Sequence, residues 1–207
     1  MSGKKSKAKP AVILVADYKR RFVWFDGKNS FTYSLAAGII KILNKLDKIS
    51  HKLIIFYIRG IGGDMYAFTK LAHAIEGLKS PVMFVAFDFV RSGCFWITQC
   101  GDTCSAIAGT KFTFHRAVNR WSGKTEMSQD DYLKGLSRLK LVDAVQFWMF
   151  TRQGSPIKTI AHLFEKEATI STKQAIKLKL ITGLYSKDNF QKHKKRAEKL
   201  AQKKYNL

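Results

Sequence analysis

Three short stretches of the chain hold residue types that could act together in nucleophilic chemistry. Ser92 stands before Gly93 at what reads as a strand-to-helix turn. A serine there can be a nucleophile when a base reaches its hydroxyl, and it can equally cap the helix that follows. His115 closes the short pattern Phe112-Thr113-Phe114, where it can serve as a base or pack as an ordinary histidine. Gly62-Gly63 lies between a long apolar run and a helical pattern. Glycines at such a turn permit positive φ and let the backbone approach a ligand closely. Their N–H groups, at the mouth of a helix, can face an anion, although a tight turn alone also accounts for them. The spacing is not GxGxxG and no Lys-Ser/Thr pair follows, so dinucleotide and phosphate-loop readings fail. His51, His73, His162 and His193 fall in linkers, on helix faces or near the C-terminus. The three cysteines, Cys94, Cys100 and Cys104, make no disulfide framework. No second Cys/His cluster completes a metal site around them. The reading is therefore free buried thiols in a reducing cytosol, with no metal and no cofactor.

The elements that must position these residues are legible as periodic runs. Strands are expected at Val12–Val15, Arg21–Phe25, Lys52–Ile58 and Val82–Phe87, with shorter ones at Ser105–Ile107, Lys111–Phe114 and Ile181–Tyr185. The run Lys52–Ile58 is almost wholly apolar, as in a strand buried on both faces of a parallel sheet. Helical spacing covers Ser34–Leu46, with Ser34 or Thr32 at its start, and Met65–Leu78. A further helix runs from the Ser92-Gly93 turn to Cys100. The longest is Gln129–Thr151, amphipathic and capped by Ser128 or Asp131, and Ile157–Phe164 and Ser171–Leu178 complete the set. Asn119–Ser128 is a polar loop. Strands alternating with helices at these spacings predict an α/β fold with a mainly parallel sheet and right-handed crossovers. The domain reading is a flexible basic arm over 1–10, one α/β domain over 11–186 and a Lys-rich C-terminal tail over 187–207.

Charge is the unusual property. The 207 residues include 37 Lys and Arg against 15 Asp and Glu, a net charge of +22. Ten of those excess charges sit in residues 1–9 and 187–204, and the rest are spread over the body. Non-specific attraction to polyanions follows, but no zinc-finger spacing or aromatic–basic interleaving points to sequence-specific nucleic-acid recognition. No apolar run approaches the length of a membrane span. The apolar stretch Ala11–Ala16 stops at Asp17, too short for a secretory signal. Ser2 excludes N-myristoylation. A cytoplasmic protein without a membrane partner is expected.

The order of the motifs is more informative than any one of them. A double-Gly turn, then a strand with Ser-Gly, then a strand ending in His, then long helices, resembles the Clp protease proteolytic subunit within the Clp/crotonase superfamily. The resemblance spans about Arg21 to Tyr185. Gly62-Gly63-Asp64, after LIIFYI, resembles the family's Ser-Pro-Gly-Gly segment, and Ser92-Gly93-Cys94-Phe95-Trp96-Ile97 its nucleophile stretch. The latter is closer still to the version in signal peptide peptidase A. Phe112–His115 matches the strand ending in the catalytic histidine, and Gln129–Thr151 the long handle helix. Glu167–Ala175 is similar to the segment bearing the catalytic acid.

The fold so implied is α/β, a Clp/crotonase-type spiral of β-β-α units with a long handle helix. The implied activity is a serine peptidase: Ser92 attacks, His115 moves the proton and Glu167 orients the imidazole. Backbone N–H groups of Gly63 and Gly93 would form the oxyanion hole, with Gly62 supporting the turn. The implied partners are a peptide or unfolded-protein substrate, a homo-oligomeric ring and an ATP-dependent unfoldase. Three positions depart from the pattern: Arg91 precedes the nucleophile in place of a small residue, Ile61 replaces Pro, and Glu167 replaces Asp, with Glu165 a competing acid. A membrane-type signal-peptide peptidase would need an anchor. A crotonase-type acyl-CoA enzyme would use acidic residues in place of the Ser-His pair. The remaining alternative is a catalytically inactive subunit that binds RNA or another anionic partner through its basic surface.

Overall fold

Runs rich in β-branched and aromatic residues assemble into one eight-stranded sheet in the computed structural model, which describes residues 12–118 and 128–186, the side chain of Tyr132 excepted. The basic arm, the Lys-rich tail and nearly all of the polar loop lie outside the described residues. The first two strands, β1 (Val12–Asp17) and β2 (Phe22–Gly27), form an antiparallel hairpin. From there β3 (Ile54–Gly60), β4 (Val82–Arg91), β5 (Thr103–Ala106) and β8 (Gly183–Leu184) add in parallel. The short β6 (Lys111–Thr113) also pairs with β4 in parallel, and β7 (Thr169–Ser171) runs antiparallel to β6.

Helices α1 (Tyr33–Ile49) and α2 (Met65–Glu76) cover one face of the sheet. Thr32 and Asp64 cap them, each accepting a backbone N–H three residues on. Their buried stripes, Ala36/Ile39/Leu43/Leu46 and Ala67/Phe68/Leu71/Ala72/Ile75, meet Phe25, Phe56 and Phe84 from the strands. The 3.6-residue spacing of those stripes is what sets both helices on the sheet. The opposite face carries Met83, Val85, Tyr57 and Tyr185, with Trp24 packed on Tyr57 and Phe87. Burial is the main cause that pushes the Tyr57 hydroxyl's pKa up, and its hydrogen bond to Tyr185 adds to it.

Two local devices shape the sheet. The hairpin turn ends at Arg21, at φ 58° and buried. Its guanidinium donates to the carbonyls of Leu46, Lys52 and Leu53 and to Ser80 Oγ. It thereby ties the end of α1 and the approach to β3 together. Arg21→Met should therefore lower the unfolding free energy by about 3 kcal/mol, since three carbonyls lose their donor. Urea denaturation measures this, and a loss within about 0.5 kcal/mol, the range of ordinary surface changes, would contradict it. Beside it, Asp47 accepts from the Ser80 hydroxyl and from the Ser80 and Lys79 N–H groups. Burial pushes this carboxyl's pKa up, but those hydrogen bonds and one from His51 outweigh it and hold it below the usual range.

The second device is a bulge in β4. Residues 83–86 pair with β5 and residues 89–91 with β6. Between them Asp88 sits at φ 58°, and the pairing to β3 slips from Ile58↔Ala86 to Gly60↔Val90. Arg59 holds the bulge, with its guanidinium paired to both Asp26 and Asp88 and lying over the rings of Phe87 and Phe89. Bulges redirect a strand, and this one carries Val90–Ser92 away from β5 toward β6.

The C-terminal part contributes α3 (Gly93–Ile97), which continues as a 3-10 turn to Cys100, then α4 (Gln129–Thr151), α5 (Ile157–Glu165) and α6 (Thr172–Lys177). The fold is the expected α/β arrangement of mostly parallel strands with a long helix. Most elements lie where the sequence reading put them, and the bounds of α4 coincide with it. The β4 strand extends four residues further than expected, through the bulge, and β7 is an additional strand. No helix among the described residues is long and apolar enough to cross a membrane.

Candidate functional site

The three stretches singled out in the sequence all end parallel strands at one edge of the sheet. Ligands of α/β sheets bind outside those carboxyl ends. After β3, Gly62 and Gly63 adopt φ 98° and 153°. Phe31 clamps this turn from a distant loop: its N–H donates to Gly62 O at 2.8 Å, and its carbonyl accepts the Asp64 N–H at 2.9 Å. The clamp uses the groups on either side of Gly63. Among the described residues the Gly63 N–H has no acceptor. A side chain at Gly63 would meet the Phe31 backbone at 2.3 Å, so only glycine fits the clamp.

At the end of β4, Ser92 takes φ 50° and ψ −127°. A non-glycine residue in that region carries strain of about 1–3 kcal/mol, of a kind found at functional sites. Its N–H donates to Thr113 O at 3.1 Å, and its carbonyl accepts from Phe95 and Trp96 as α3 begins. The capping alternative fails, because Ser92 makes no side-chain cap. Gly93 opens α3 with its N–H unaccepted among the described residues. A Cβ on Gly93 would lie 2.3 Å from the Phe68 ring, which stacks on Phe31 at 4.2 Å. The Phe68 ring thus underlies Gly93, and Phe31, stacked on that ring, holds the Gly62-Gly63 turn through its backbone. A Cβ on Gly62 would come within 2.8 Å of Ser92 Cβ, so the two turns are in contact.

His115 follows β6 by two residues and is partly exposed. The pairing of Arg91 with Thr113 sets the ends of β4 and β6 side by side. Glu167 sits at φ 47° just before β7, whose Thr169 pairs with Thr113. Its Oε1 lies 3.7 Å from His115 Nε2 and 3.4 Å from the Arg116 N–H. Of the two candidate acids, Glu167 is the one beside the histidine; Glu165 ends α5 and makes no ion pair with it. The described residues hold no hydrogen bond between Ser92 Oγ and His115. Arg91 lies over the Phe89 ring, 5.3 Å from its centroid, two residues back on the same strand.

The three thiols are free and buried. Burial pushes Cys94 and Cys104 up to about 12, against weaker opposing hydrogen bonds, so both stay protonated and inert. No group of His, Cys, Asp and Glu among the described residues could hold a metal ion.

Sequence reasoning missed the Phe31–Phe68 stack and the Arg59 lock. Phe31 lies 31 residues before Gly62, the first glycine of the turn it clamps, in a stretch with no strand or helix signal. An alternating Phe/Gly contact across such a distance leaves no local pattern. With this geometry in place, the comparison with known families is direct: the family model for Clp protease matches residues 12–188. No curated protein matches the chain.

Proposed function

Since the chain belongs to the Clp protease family, we propose that it is a serine peptidase in which Ser92 attacks the scissile carbonyl, His115 carries the proton and Glu167 orients the imidazole. The observation that carries this reading is the left-handed Ser92 packed against the Gly62-Gly63 turn. That packing brings a hydroxyl and two unaccepted N–H groups, of Gly63 and Gly93, to one edge of the sheet. The hydroxyl adds to the carbonyl carbon as its proton passes to His115. The developing oxyanion takes hydrogen bonds from the two glycine N–H groups, each worth about 3 kcal/mol in comparable sites. The imidazolium then gives its proton to the leaving amine, and water, deprotonated by the same imidazole, releases the acyl group.

The resting distances are loose, as is common before substrate binds. For turnover the imidazole rotates so that Nδ1 faces Glu167 and Nε2 faces Ser92, and the 3.7 Å gap to the carboxylate closes. Glutamate reaches one methylene further than aspartate, which suits its place in the turn before β7.

Self-association into a ring, typical of this family, accounts for an otherwise costly surface. Leu133, Leu141, Val145 and Trp148 of α4 are exposed, more than the helix needs for its own packing. Hydrolysis of an unfolded reporter protein by the purified oligomer tests the activity. Glu167→Gln should lower kcat by about three to four orders of magnitude, because the imidazole loses its tautomer control. Glu165→Gln should leave kcat within about twofold, as a surface change without contact to the site. Equal effects of the two would overturn the assignment of the acid.

A further inference from the structure

After Ile58↔Ala86 the pairing of β3 with β4 resumes at Gly60↔Val90. A single residue of β3, Arg59, therefore stands opposite three of β4: Phe87, Asp88 and Phe89. Its guanidinium engages all three. It donates to Asp88 Oδ2 at 2.7 Å and lies 5.4 Å and 5.7 Å from the Phe87 and Phe89 ring centroids. Asp26, its register partner on β2, anchors it from the other side. That carboxylate is buried and accepts from both Nε and Nη2.

The two extra residues of β4 decide where Ser92 falls. In an unbroken register Gly60 would face Asp88, and Gly62 would stand level with Val90. Ser92 would then overshoot the Gly62-Gly63 turn by two residues, about 7 Å of strand. With the slip, Gly60 faces Val90 and Ser92 comes level with Gly62. There a Cβ on Gly62 would lie 2.8 Å from Ser92 Cβ, and the Ser92 N–H reaches Thr113 O. The slip is taken up at Asp88, whose φ of 58° is unfavourable for a residue with a side chain. We propose that Arg59 is a positioning residue for the nucleophile: by gripping Phe87, Asp88 and Phe89 it fixes the slip that sets Ser92 beside the Gly62-Gly63 turn. Its part in turnover rests on the peptidase reading of Ser92, whereas the placement of Ser92 rests on the strand pairing alone.

The test is the rate of fluorophosphonate labelling at Ser92, read beside hydrogen exchange of the Ser92 amide, which needs no chemistry at the hydroxyl. Arg59→Lys keeps a cation beside buried Asp26 but loses the fork that reaches Asp88 at the same time. It should slow labelling about tenfold, the loss of one charge-assisted hydrogen bond, and speed exchange at Ser92. Asp26→Asn/Arg59→Leu removes the whole lock without leaving a lone buried charge. It should slow labelling about 100-fold, the cost of displacing a reacting group by about 1 Å. Adding Asp88→Gly to either variant should return most of the lost rate and slow the exchange again, because glycine holds φ 58° without strain. General damage to the sheet would not be mended by glycine at that position. Labelling and exchange at wild-type rates in both Arg59 variants overturn the proposal and leave the peptidase reading intact. So does a loss that Asp88→Gly leaves in place. A wild-type protein without label at Ser92 removes the peptidase reading. The positioning role is then decided by exchange at Ser92: faster in the Arg59 variants and restored by Asp88→Gly upholds it, and unchanged overturns it.

Discussion

Replacing Ser92 by Ala is expected to abolish peptide hydrolysis, lowering kcat by about four orders of magnitude or more. His115→Ala should cost about as much, and the double variant little more than either alone. Groups that act as one unit are non-additive, because removing either the nucleophile or its base leaves only binding and oxyanion stabilisation. Folding should be untouched in Ser92→Ala. The hydroxyl makes no cap, and the strained backbone is held by the Thr113 carbonyl and the glycine turns, not by the side chain. Steady-state kinetics on the four proteins, with matched thermal unfolding, checks this. Additive losses would mean that Ser92 and His115 do not share a step.

A second large effect comes from a methyl group that touches no reacting atom. Gly62→Ala should lower kcat/KM by about 100-fold or more, the usual cost of displacing a catalytic group by about 1 Å. The new Cβ would lie 2.8 Å from Ser92 Cβ and 3.1 Å from both the Arg91 carbonyl and the Gly93 nitrogen. None of these is the free end of a flexible side chain, so Ser92 and the Gly93 donor must move. Alanine at φ 98° adds strain of about 1–3 kcal/mol. Gly109→Ala separates the two contributions. Gly109 has φ 85° but nothing within 4 Å of an added Cβ. It should lose comparable stability with kcat/KM kept. If both variants lose activity alike, backbone strain and not contact with the nucleophile is the cause.

Much of this was legible in the sequence, for identifiable reasons. The bounds of α4 follow from the Ser128 cap and a long run without Gly or Pro near its ends. The positions of Ser92, His115 and the double glycine were readable because each interrupts a strong strand pattern at its end. The β7 strand was not readable. It is three residues long, and its Ser171 also caps α6, so the helix signal covered the strand. The extension of β4 past Phe87 depends on Asp88 at φ 58° and on Arg59, 29 residues away, which no local propensity encodes. The choice between Glu165 and Glu167 turns on where α5 ends and on the left-handed turn at Glu167. Charge composition was the least informative guide, since +22 describes the whole surface.

The measurement that bears most directly on the account is fluorophosphonate labelling of the intact protein, read by peptide mass spectrometry. The account predicts a single labelled residue, Ser92, absent in Ser92→Ala and strongly slowed in His115→Ala. A folded protein that takes no label at Ser92 would contradict it, leaving a Clp protease fold whose turn at Ser92 is strained without an activated hydroxyl.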